Sequence, residues 1–272
     1  MNKMLAVGLI LSSVLACYCK APGCDVPYNS KWDKSVIEIL RLVDAKHQKY
    51  ENCATGFVVR AYDSTYGQLL VSNKHVLQSL QSLYVRVNFD DTCSRAVDTI
   101  SLEMLYGLSR NILLPVDTSL DLAALPIPRV DTRWDVFVNV KSQFSQVGEI
   151  RRGNDVYFLG FPAGISIKEK SVPVYRRGVV AMDRRYLHGL YMIDASVIGG
   201  SSGSPVFGCD GKLVGVLCGH RNYYSADANL PEYVGQEDTL DGKLLLNSGL
   251  GAMIPVDRVV EFLTSISLEW AK

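Results

Sequence analysis

The stretch Asp194-Ala195-Ser196-Val197-Ile198-Gly199-Gly200-Ser201-Ser202-Gly203-Ser204-Pro205 decides the fold of this 272-residue chain. An apolar run typical of a strand precedes it, and only glycine and serine occupy residues 199–204. Glycine adopts backbone angles that other residues avoid, so the segment can hold a hydroxyl outward while its own N–H groups turn to the same point. That geometry is typical of a serine nucleophile beside an oxyanion hole. A glycine- and serine-rich surface loop is the alternative, and the choice depends on a base and an acid elsewhere.

Residues 200–205, Gly-Ser-Ser-Gly-Ser-Pro, resemble the nucleophile loop of trypsin-like serine proteases. They are most similar to the HtrA-like bacterial branch, whose loop also begins with an Asp-Ala pair such as Asp194-Ala195. The resemblance implies that Ser202 is the nucleophile and that the N–H groups of Gly200 and Ser202 form the oxyanion hole. It also implies an all-β fold, a chymotrypsin-like double six-stranded β-barrel with a short N-terminal helix and a C-terminal helix.

A second register reads residues 199–203 as the Gly-x-Ser-x-Gly elbow of α/β-hydrolases, with Ser201 as nucleophile. That elbow must lead into a helix. Here Pro205 is followed by two apolar runs joined by the turn dipeptide Asp210-Gly211, which is typical of a β-hairpin. Ser201 is therefore the poorer candidate.

His75 is the predicted general base. A serine hydroxyl is a poor nucleophile at neutral pH and needs a base that titrates near the working pH, which suits histidine. Residues 70–76, Leu-Val-Ser-Asn-Lys-His-Val, resemble the Val-Thr-x-x-His-Val segment of trypsin-like proteases, in which a strand ends at the base. The other histidines, His47, His188 and His220, have no such context.

Asp121 is the predicted acid that orients His75. The imidazolium formed during attack must be stabilised by a carboxylate. Residues 119–125, Ser-Leu-Asp-Leu-Ala-Ala-Leu, resemble the Asp-Ile/Leu-Ala-x-Leu segment that carries this acid, and Asp117 nearby is the fallback. The order His75, Asp121, Ser202 matches the chymotrypsin arrangement and neither subtilisin nor the α/β-hydrolases.

Many short runs typical of strands, separated by turn residues, favour a barrel or sandwich. Residues 158–164 are similar to the Gly-x-Pro-x-Gly turn of the HtrA-like group, so the resemblance covers about residues 54–263 in pieces that keep their order. Paired arginines, such as Arg176-Arg177, are interpreted as exposed strand ends. The predicted strands are 55–59, 69–72, 83–89, 136–140, 156–159, 172–175, 178–181, 190–193, 212–217 and 249–256.

Two helices and one long link complete the expected architecture. Apolar residues at helical spacing predict a short amphipathic helix that includes Val36, Ile37, Leu40 and Val43, and a second helix over residues 257–266. Residues 220–248, rich in Asp, Asn, Gly and Tyr, break the strand rhythm, and a link this long is usually functional or disordered.

The pocket for the residue before the scissile bond follows from the resemblance. It implies lining by residues near Ser196, Leu217 to Gly219, and Gly251 to Met253. Because no carboxylate stands at Ser196, we expect a small to medium apolar pocket and cleavage after residues such as Val, Ala, Leu or Met. Ser201 occupies the place of the aspartate that pairs with a freed N-terminus in trypsin-type zymogens, so we expect activity without that insertion.

The N-terminus has the anatomy of a secretory signal: Lys3, an apolar run and a small residue before Cys17. Residues 14–17, Val-Leu-Ala-Cys, also resemble a bacterial lipobox, in which the cysteine is lipidated. We expect an exported chain, periplasmic or extracellular, either tethered to a membrane through Cys17 or secreted after cleavage behind Ala16. The predicted organisation is a signal peptide over 1–16, a tether over 17–30 and a trypsin-like serine protease domain over 31–272.

The seven cysteines fit an oxidising compartment, and if Cys17 carries lipid the other six could form three bridges. No cysteine or histidine cluster has zinc spacing, so we expect neither a metal nor a cofactor. The formal net charge is zero, which gives no basic field for nucleic acid. The resemblance implies an exported serine endopeptidase with polypeptide substrates. The rivals are a catalytically silent scaffold on the same fold and an esterase that uses the same site.

Overall fold

The structure is a computed structural model of the chain. It describes residues 32, 35–60, 68–78, 83–88, 97–101, 112–127, 144–145, 150–164, 172–183, 189–224, 239–240 and 243–266. The predicted signal peptide, Cys17, the tether and the predicted strand 136–140 lie outside these ranges. None of the helices within them is long and apolar enough to cross a membrane.

The first half of the described chain forms a six-stranded antiparallel sheet in the order β5-β4-β1-β2-β3-β6. A short helix, α1 (Lys74–Leu77), follows β3 directly. Apolar residues occupy both faces of the central strands. One face packs against other residues of the first half, and the other face packs against the second half of the chain. The strands are β1 (Val36–Asp44), β2 (Lys49–Arg60), β3 (Gln68–Ser72), β4 (Leu83–Asn88), β5 (Val97–Ser101) and β6 (Ala123–Ile127).

The second half forms a closed barrel. Its strands are ordered β11-β10-β7-β8-β9-β13, and β13 pairs with β11 to close the ring, while β12 extends β13 as a hairpin. A 3₁₀ turn (Pro162–Gly164) follows β7, and helix α2 (Val256–Ile266) packs back on the core. The strands are β7 (Asp155–Gly160), β8 (Val174–Met182), β9 (Tyr191–Asp194), β10 (Pro205–Phe207), β11 (Leu213–Tyr224), β12 (Thr239–Leu240) and β13 (Lys243–Pro255). The predicted all-β architecture, the Asp210-Gly211 hairpin and the C-terminal helix are confirmed.

One apolar core joins the two halves of the described chain. Phe57 of β2, Phe161 after β7 and Phe207 of β10 are each at most 4% exposed and belong to one apolar cluster. Trp32 packs on Phe207 with ring centroids 4.5 Å apart. Burying a side chain of this size stabilises the fold by about 1.5–3 kcal/mol, so the two sheets are firmly docked.

The predicted N-terminal amphipathic helix is wrong over residues 36–43. Trp32 and Ser35 are helical, but Val36–Asp44 forms strand β1 between β2 and β4. Since a strand covered on both faces has an almost continuous apolar run, its pattern also satisfies helical spacing. The β-branched residues Val36, Ile37 and Ile39 favour the strand.

Three further expectations change. Residues 172–175 and 178–181, predicted as two strands, lie within or beside one strand, β8. The described residues of the link 220–248 lie in strands, because β11 continues to Tyr224, β12 covers 239–240 and β13 begins at Lys243, while 225–238 and 241–242 lie outside the described residues. Arg176 is not an exposed strand end: it lies inside β8, partly buried, with its guanidinium carbon 5.1 Å from the Phe158 ring centroid.

Cys53, Cys209 and Cys218 are thiols in the structure, so no disulfide bridge joins any two of these three residues. The Cys53 Sγ donates to the Ile39 carbonyl over 3.4 Å. Burial raises the pKa of the Cys53 thiol to about 11, whereas the Cys209 side chain is exposed.

Thiol labelling at pH 8 should therefore distinguish these cysteines. A raised pKa keeps Cys53 in its protonated form, and thiolate is the species that reacts with iodoacetamide. We expect Cys209 to be carbamidomethylated rapidly and Cys53 to react only after unfolding in guanidinium chloride. Peptide mass mapping after short pulses measures both rates, and equal rates in the folded protein would contradict the expectation.

Candidate active site

His75 and Asp121 are joined by two hydrogen bonds. The His75 ring Nδ1 lies 2.7 Å from Asp121 Oδ2, and the His75 backbone N–H donates to Asp121 Oδ1 over 3.0 Å. Because a carboxylate only accepts hydrogen bonds, Nδ1 carries the proton and Nε2 can accept one. Helix α1 buries Val76 and Leu77 and leaves the His75 side chain 53% exposed. The imidazole is thus fixed on one side and open to solvent on the other.

The sequence around Asp121 explains its position. Leu120 and Leu122 on either side are buried, so the aspartate enters the cleft as the chain approaches β6. Asn73, between β3 and α1, donates from Nδ2 to the Asp121 carbonyl over 2.9 Å. The segments that carry His75 and Asp121 are therefore fixed to each other by backbone as well as side-chain contacts.

Asp117, the fallback acid, has other partners. Its Oδ1 accepts hydrogen bonds from the Ser119 hydroxyl at 2.6 Å and the Ser119 N–H at 2.9 Å, and its Oδ2 pairs with Arg258. The Ser119 hydrogen bonds, with Arg258 nearby, hold the pKa of the Asp117 carboxyl below its usual value. The structure brings Asp121, and not Asp117, to His75.

The two candidate serines differ in exposure. Ser201 is only 1% exposed, and its Oγ is buried without a hydrogen-bond partner. Ser202 is partly exposed. A nucleophile must reach its substrate, so this difference favours Ser202 and disfavours the α/β-hydrolase register.

The N–H group of Gly200 belongs to a peptide whose carbonyl is bound on the opposite side. The Ala163 N–H donates to the Gly199 carbonyl over 2.7 Å. In a trans peptide the C=O and N–H point in opposite directions, so the Gly200 N–H points away from Ala163. Ala163 has a φ of 49°, in the left-handed region that alanine rarely occupies. Such strain is typical of functional sites, where it orients a specific group.

The N–H group of Ser202 is oriented in the same way. The Ser204 N–H donates to the Ser201 carbonyl over 3.1 Å and therefore turns the Ser202 N–H away from itself. Within the described part of the chain, the N–H groups of Gly200 and Ser202 donate to no backbone acceptor. Both remain available to bind an anionic oxygen.

The nucleophile loop lies against the strand that leads to His75. The Thr55 N–H donates to the Ser202 carbonyl over 2.8 Å, and the Ser72 hydroxyl donates to the Thr55 carbonyl over 2.8 Å. Gly203 has a φ of +85°, and a Cβ there would lie 2.4 Å from Ser72 Oγ. Ser72 ends β3, three positions before His75. The structure thus places the loop that contains Ser202 against Thr55 and the end of the strand that leads to His75.

Alanine at Gly200 should damage both stability and activity. Gly200 has a φ of +87°, and a Cβ there would lie 2.4 Å from the Phe161 carbonyl oxygen. We expect Gly200→Ala to lower the free energy of unfolding by more than about 2 kcal/mol and kcat by at least about 100-fold. Gly199→Ala is the matched control, because a Cβ at Gly199 meets no atom within 4 Å. Thermal unfolding and peptide turnover measure both effects, and equal behaviour of the two variants would contradict the prediction.

The residues predicted to line the substrate pocket divide into two groups. Ser196 is exposed and Gly219 is partly exposed, so both can contact a ligand. Leu217 and Met253 are 0% exposed and pack in the barrel core. Gly251 is also buried, and a Cβ there would lie 2.4 Å from the Val197 Cγ2.

Arg176 lies next to this region, although sequence reasoning interpreted it as an exposed strand end. Its Nη2 donates to the Ser196 carbonyl, and its Nη1 is buried without a hydrogen-bond partner. Burial lowers the pKa of the Arg176 guanidinium. Arg176 lies between the predicted strands 172–175 and 178–181, which the structure joins in β8.

A cavity of about 580 Å³ opens beside Asp121, between the two halves of the molecule. Its lining includes Leu120 and Asp121 from the first half and Leu190, Cys218 and Ile254 from the second. Among the residues that the structure describes, no group of three or more histidine, cysteine or acidic side chains is arranged to hold a metal ion.

Comparisons with known proteins agree with this geometry. A sequence profile of the trypsin-like peptidase domain matches residues 54–216, more than half of the chain. A search of curated protein sequences found no match. Similar solved structures include the HtrA-type protease AlgW with a tripeptide and an AlgW variant with a tripeptide.

Each of these two structures has a TM-score of 0.54 and 16% sequence identity, and each match covers 87% of this chain and 61% of the protease chain. This chain therefore spans about three fifths of the length of those proteases, and at this identity the likeness shows the fold alone. The profile match shows the family. The chain belongs to the trypsin-like peptidase domain family of serine endopeptidases and has the double-barrel fold of the HtrA-type proteases.

Proposed function

We propose that this chain hydrolyses peptide bonds with Ser202 as nucleophile, His75 as general base and acid, and Asp121 as the residue that orients His75. The observation that carries the proposal is the pair of hydrogen bonds between His75 and Asp121, at 2.7 Å and 3.0 Å. It fixes the imidazole with Nε2 outward. The N–H groups of Gly200 and Ser202, left without backbone acceptors, supply the oxyanion hole.

In the proposed mechanism the Ser202 Oγ attacks the scissile carbonyl while His75 Nε2 takes the hydroxyl proton. The negative charge on the carbonyl oxygen is stabilised by the N–H groups of Gly200 and Ser202. His75 then gives the proton to the leaving amine, and a water molecule repeats the steps to release the acyl group. Asp121 stays ionised and stabilises the imidazolium that forms in each half of the reaction.

The enzyme is proposed to act without a trypsin-style N-terminal insertion. Ser201 stands where a carboxylate would be needed for that pairing, and its buried side chain has no partner. The Gly200 N–H is oriented by the hydrogen bond from Ala163 to the Gly199 carbonyl instead. Chains that begin at different residues upstream of Trp32 should therefore have equal kcat, and a dependence of kcat on a free α-amino group would contradict this proposal.

Cleavage after small to medium apolar residues is the proposed specificity. Val197 lies against Gly251, and Leu217 and Met253 are fully buried, which leaves little depth for a large side chain. A peptide library that varies only the residue before the scissile bond tests it, with Val, Ala, Leu and Met expected to be preferred. A preference for Asp or Glu would instead assign selectivity to the Arg176 guanidinium beside Ser196.

Export is proposed from the N-terminal sequence, with Cys17 either lipidated or released after cleavage behind Ala16. Because both routes leave Cys17 as the first residue and only one attaches a lipid to it, mass spectrometry of the mature protein distinguishes them. A diacylglyceryl mass on Cys17 that is lost in Cys17→Ala supports the tether. An unmodified mature N-terminus supports secretion.

An active-site phosphonylating probe, read by intact-protein mass spectrometry, tests the proposed chemistry. One adduct on the parent chain and none on Ser202→Ala is the expected result. A folded parent chain that acquires no adduct favours the silent scaffold. Turnover of matched peptide and ester substrates separates a peptidase from an esterase, because an esterase would hydrolyse only the ester.

A further inference from the structure

We propose that Thr55 is the positioning residue that holds the oxyanion loop, residues 199–204, in register with the base. This inference rests on the proposed function. Thr55 is 0% exposed in β2, in the sheet opposite to the nucleophile. Neither its position nor its side chain was singled out by the sequence motifs, which begin with the histidine.

The Thr55 hydroxyl makes two hydrogen bonds with an unambiguous direction. It donates to the Gly200 carbonyl over 2.7 Å and accepts from the Phe161 N–H over 3.0 Å. A carbonyl can only accept and a backbone N–H can only donate, so both roles of the hydroxyl are used. One side chain therefore connects the oxyanion loop to the start of the turn that carries Ala163.

The Thr55 backbone makes two more connections. Its N–H donates to the Ser202 carbonyl over 2.8 Å, and its carbonyl accepts from the Ser72 hydroxyl over 2.8 Å. Ser72 lies three positions before His75 in the sequence. It pairs across β3 and β6 with Ala123, and Ala123 lies two positions after Asp121. Thr55 thus contacts the oxyanion loop at two carbonyls and the base-bearing strand at its end.

These contacts explain how the two N–H donors keep their direction. The hydrogen bond from Ala163 to the Gly199 carbonyl fixes the peptide plane that contains the Gly200 N–H. The hydrogen bond from Thr55 to the Gly200 carbonyl fixes the next peptide plane. With the planes on both sides fixed, rotation about the Gly200 backbone bonds is strongly restricted. Because oxyanion binding depends on the direction of its donors, loosening one plane should act on the transition state more than on substrate binding.

Thr55→Val removes the hydroxyl and keeps the shape of the side chain. We expect kcat to fall about 10- to 100-fold with KM changed less than about 3-fold, since misplaced catalytic groups cost rates of this size. Thr55→Ser, which keeps the hydroxyl, should recover kcat to within about 3-fold of the parent. Ser35→Ala is the control for loss of a buried hydroxyl. The Ser35 Oγ donates to the Trp32 carbonyl over 3.0 Å, and neither residue belongs to the proposed site.

Hydrogen exchange of the peptide that contains residues 199–204 provides a readout independent of turnover. We expect faster exchange in Thr55→Val than in the parent, Thr55→Ser or Ser35→Ala. Unchanged exchange in Thr55→Val, failure of Thr55→Ser to recover kcat, or an equal loss of kcat in Ser35→Ala would overturn the proposal. If the parent neither cleaves peptides nor accepts the phosphonylating probe, the proposed function fails, while the exchange measurement still decides the role of Thr55.

Discussion

Replacing Ser202 by alanine is expected to lower kcat for peptide hydrolysis by about 10⁴- to 10⁶-fold and to leave the fold intact. The substitution removes one partly exposed hydroxyl from a loop whose shape depends on backbone hydrogen bonds. The Gly200 and Ser202 N–H groups are retained, so substrate binding should persist. Single-turnover assays and circular dichroism measure the loss of chemistry and the integrity of the fold.

Ser201→Ala is the matched control for this experiment. It removes the hydroxyl of the preceding serine, which is 1% exposed and has no hydrogen-bond partner. Because a buried hydroxyl without a partner is unfavourable, its removal should leave stability equal or slightly higher and kcat within about 3-fold of the parent. The opposite result, with Ser201→Ala inactive and Ser202→Ala active, would assign the nucleophile to the α/β-hydrolase register.

Asp121→Asn should lower kcat by about 10⁴-fold at neutral pH. An asparagine can still accept the His75 backbone N–H, but its amide group would donate to Nδ1 and force the ring proton onto Nε2. With Nε2 protonated, His75 cannot take the proton of Ser202. The pH profile of kcat/KM checks this explanation, because activity should partly return at alkaline pH, where hydroxide can replace the base.

Asp117→Asn is the control for charge removal near the same site. Asp117 hydrogen-bonds Ser119 and pairs with Arg258, and neither contact reaches His75. We expect kcat within about 2-fold of the parent. A loss comparable to that of Asp121→Asn would show that the field of the nearby carboxylates, and not the orientation of the imidazole, sustains catalysis.

Most strands of the second barrel could be predicted from short apolar runs, but the limits of the strands could not, and β1, β5, β6 and β12 were not predicted as strands. β1 was interpreted as a helix because a strand covered on both faces lacks alternation. The long hairpin β11–β13 was interpreted as a link because its polar residues, such as Asn222 opposite Asn247, break the apolar pattern while the backbone pairing continues. Sequence periodicity reports which side chains are buried, whereas the backbone hydrogen bonds between paired strands need no apolar residues.

The candidate reacting residues could be predicted because each of them lies in a recognisable sequence motif. The structure joins the predicted pair His75 and Asp121, while the role of Ser202 stays a prediction. Thr55, Ala163 and Arg176 could not be found in this way. Thr55 and Ala163 act through contacts to backbone carbonyls distant in sequence, and no residue type or spacing signals such a contact. Arg176 was missed because its doublet with Arg177 suggested solvent exposure, whereas only Arg177 is exposed and pairs with Asp155.

The pairing of β13 with both β9 and β11 also means that the second barrel closes late in the order of the chain. His75, Asp121 and Ser202 all precede β13 in the chain, yet β9 and β11 have their common neighbour only when residues 243–255 have left the ribosome. Until then β9 and β11 are each paired on one side only, with β8 and β10, and the loop between β9 and β10 belongs to an open sheet. A chain made from its N-terminus onward therefore contains the three proposed reacting residues before the barrel that holds Ser202 can close.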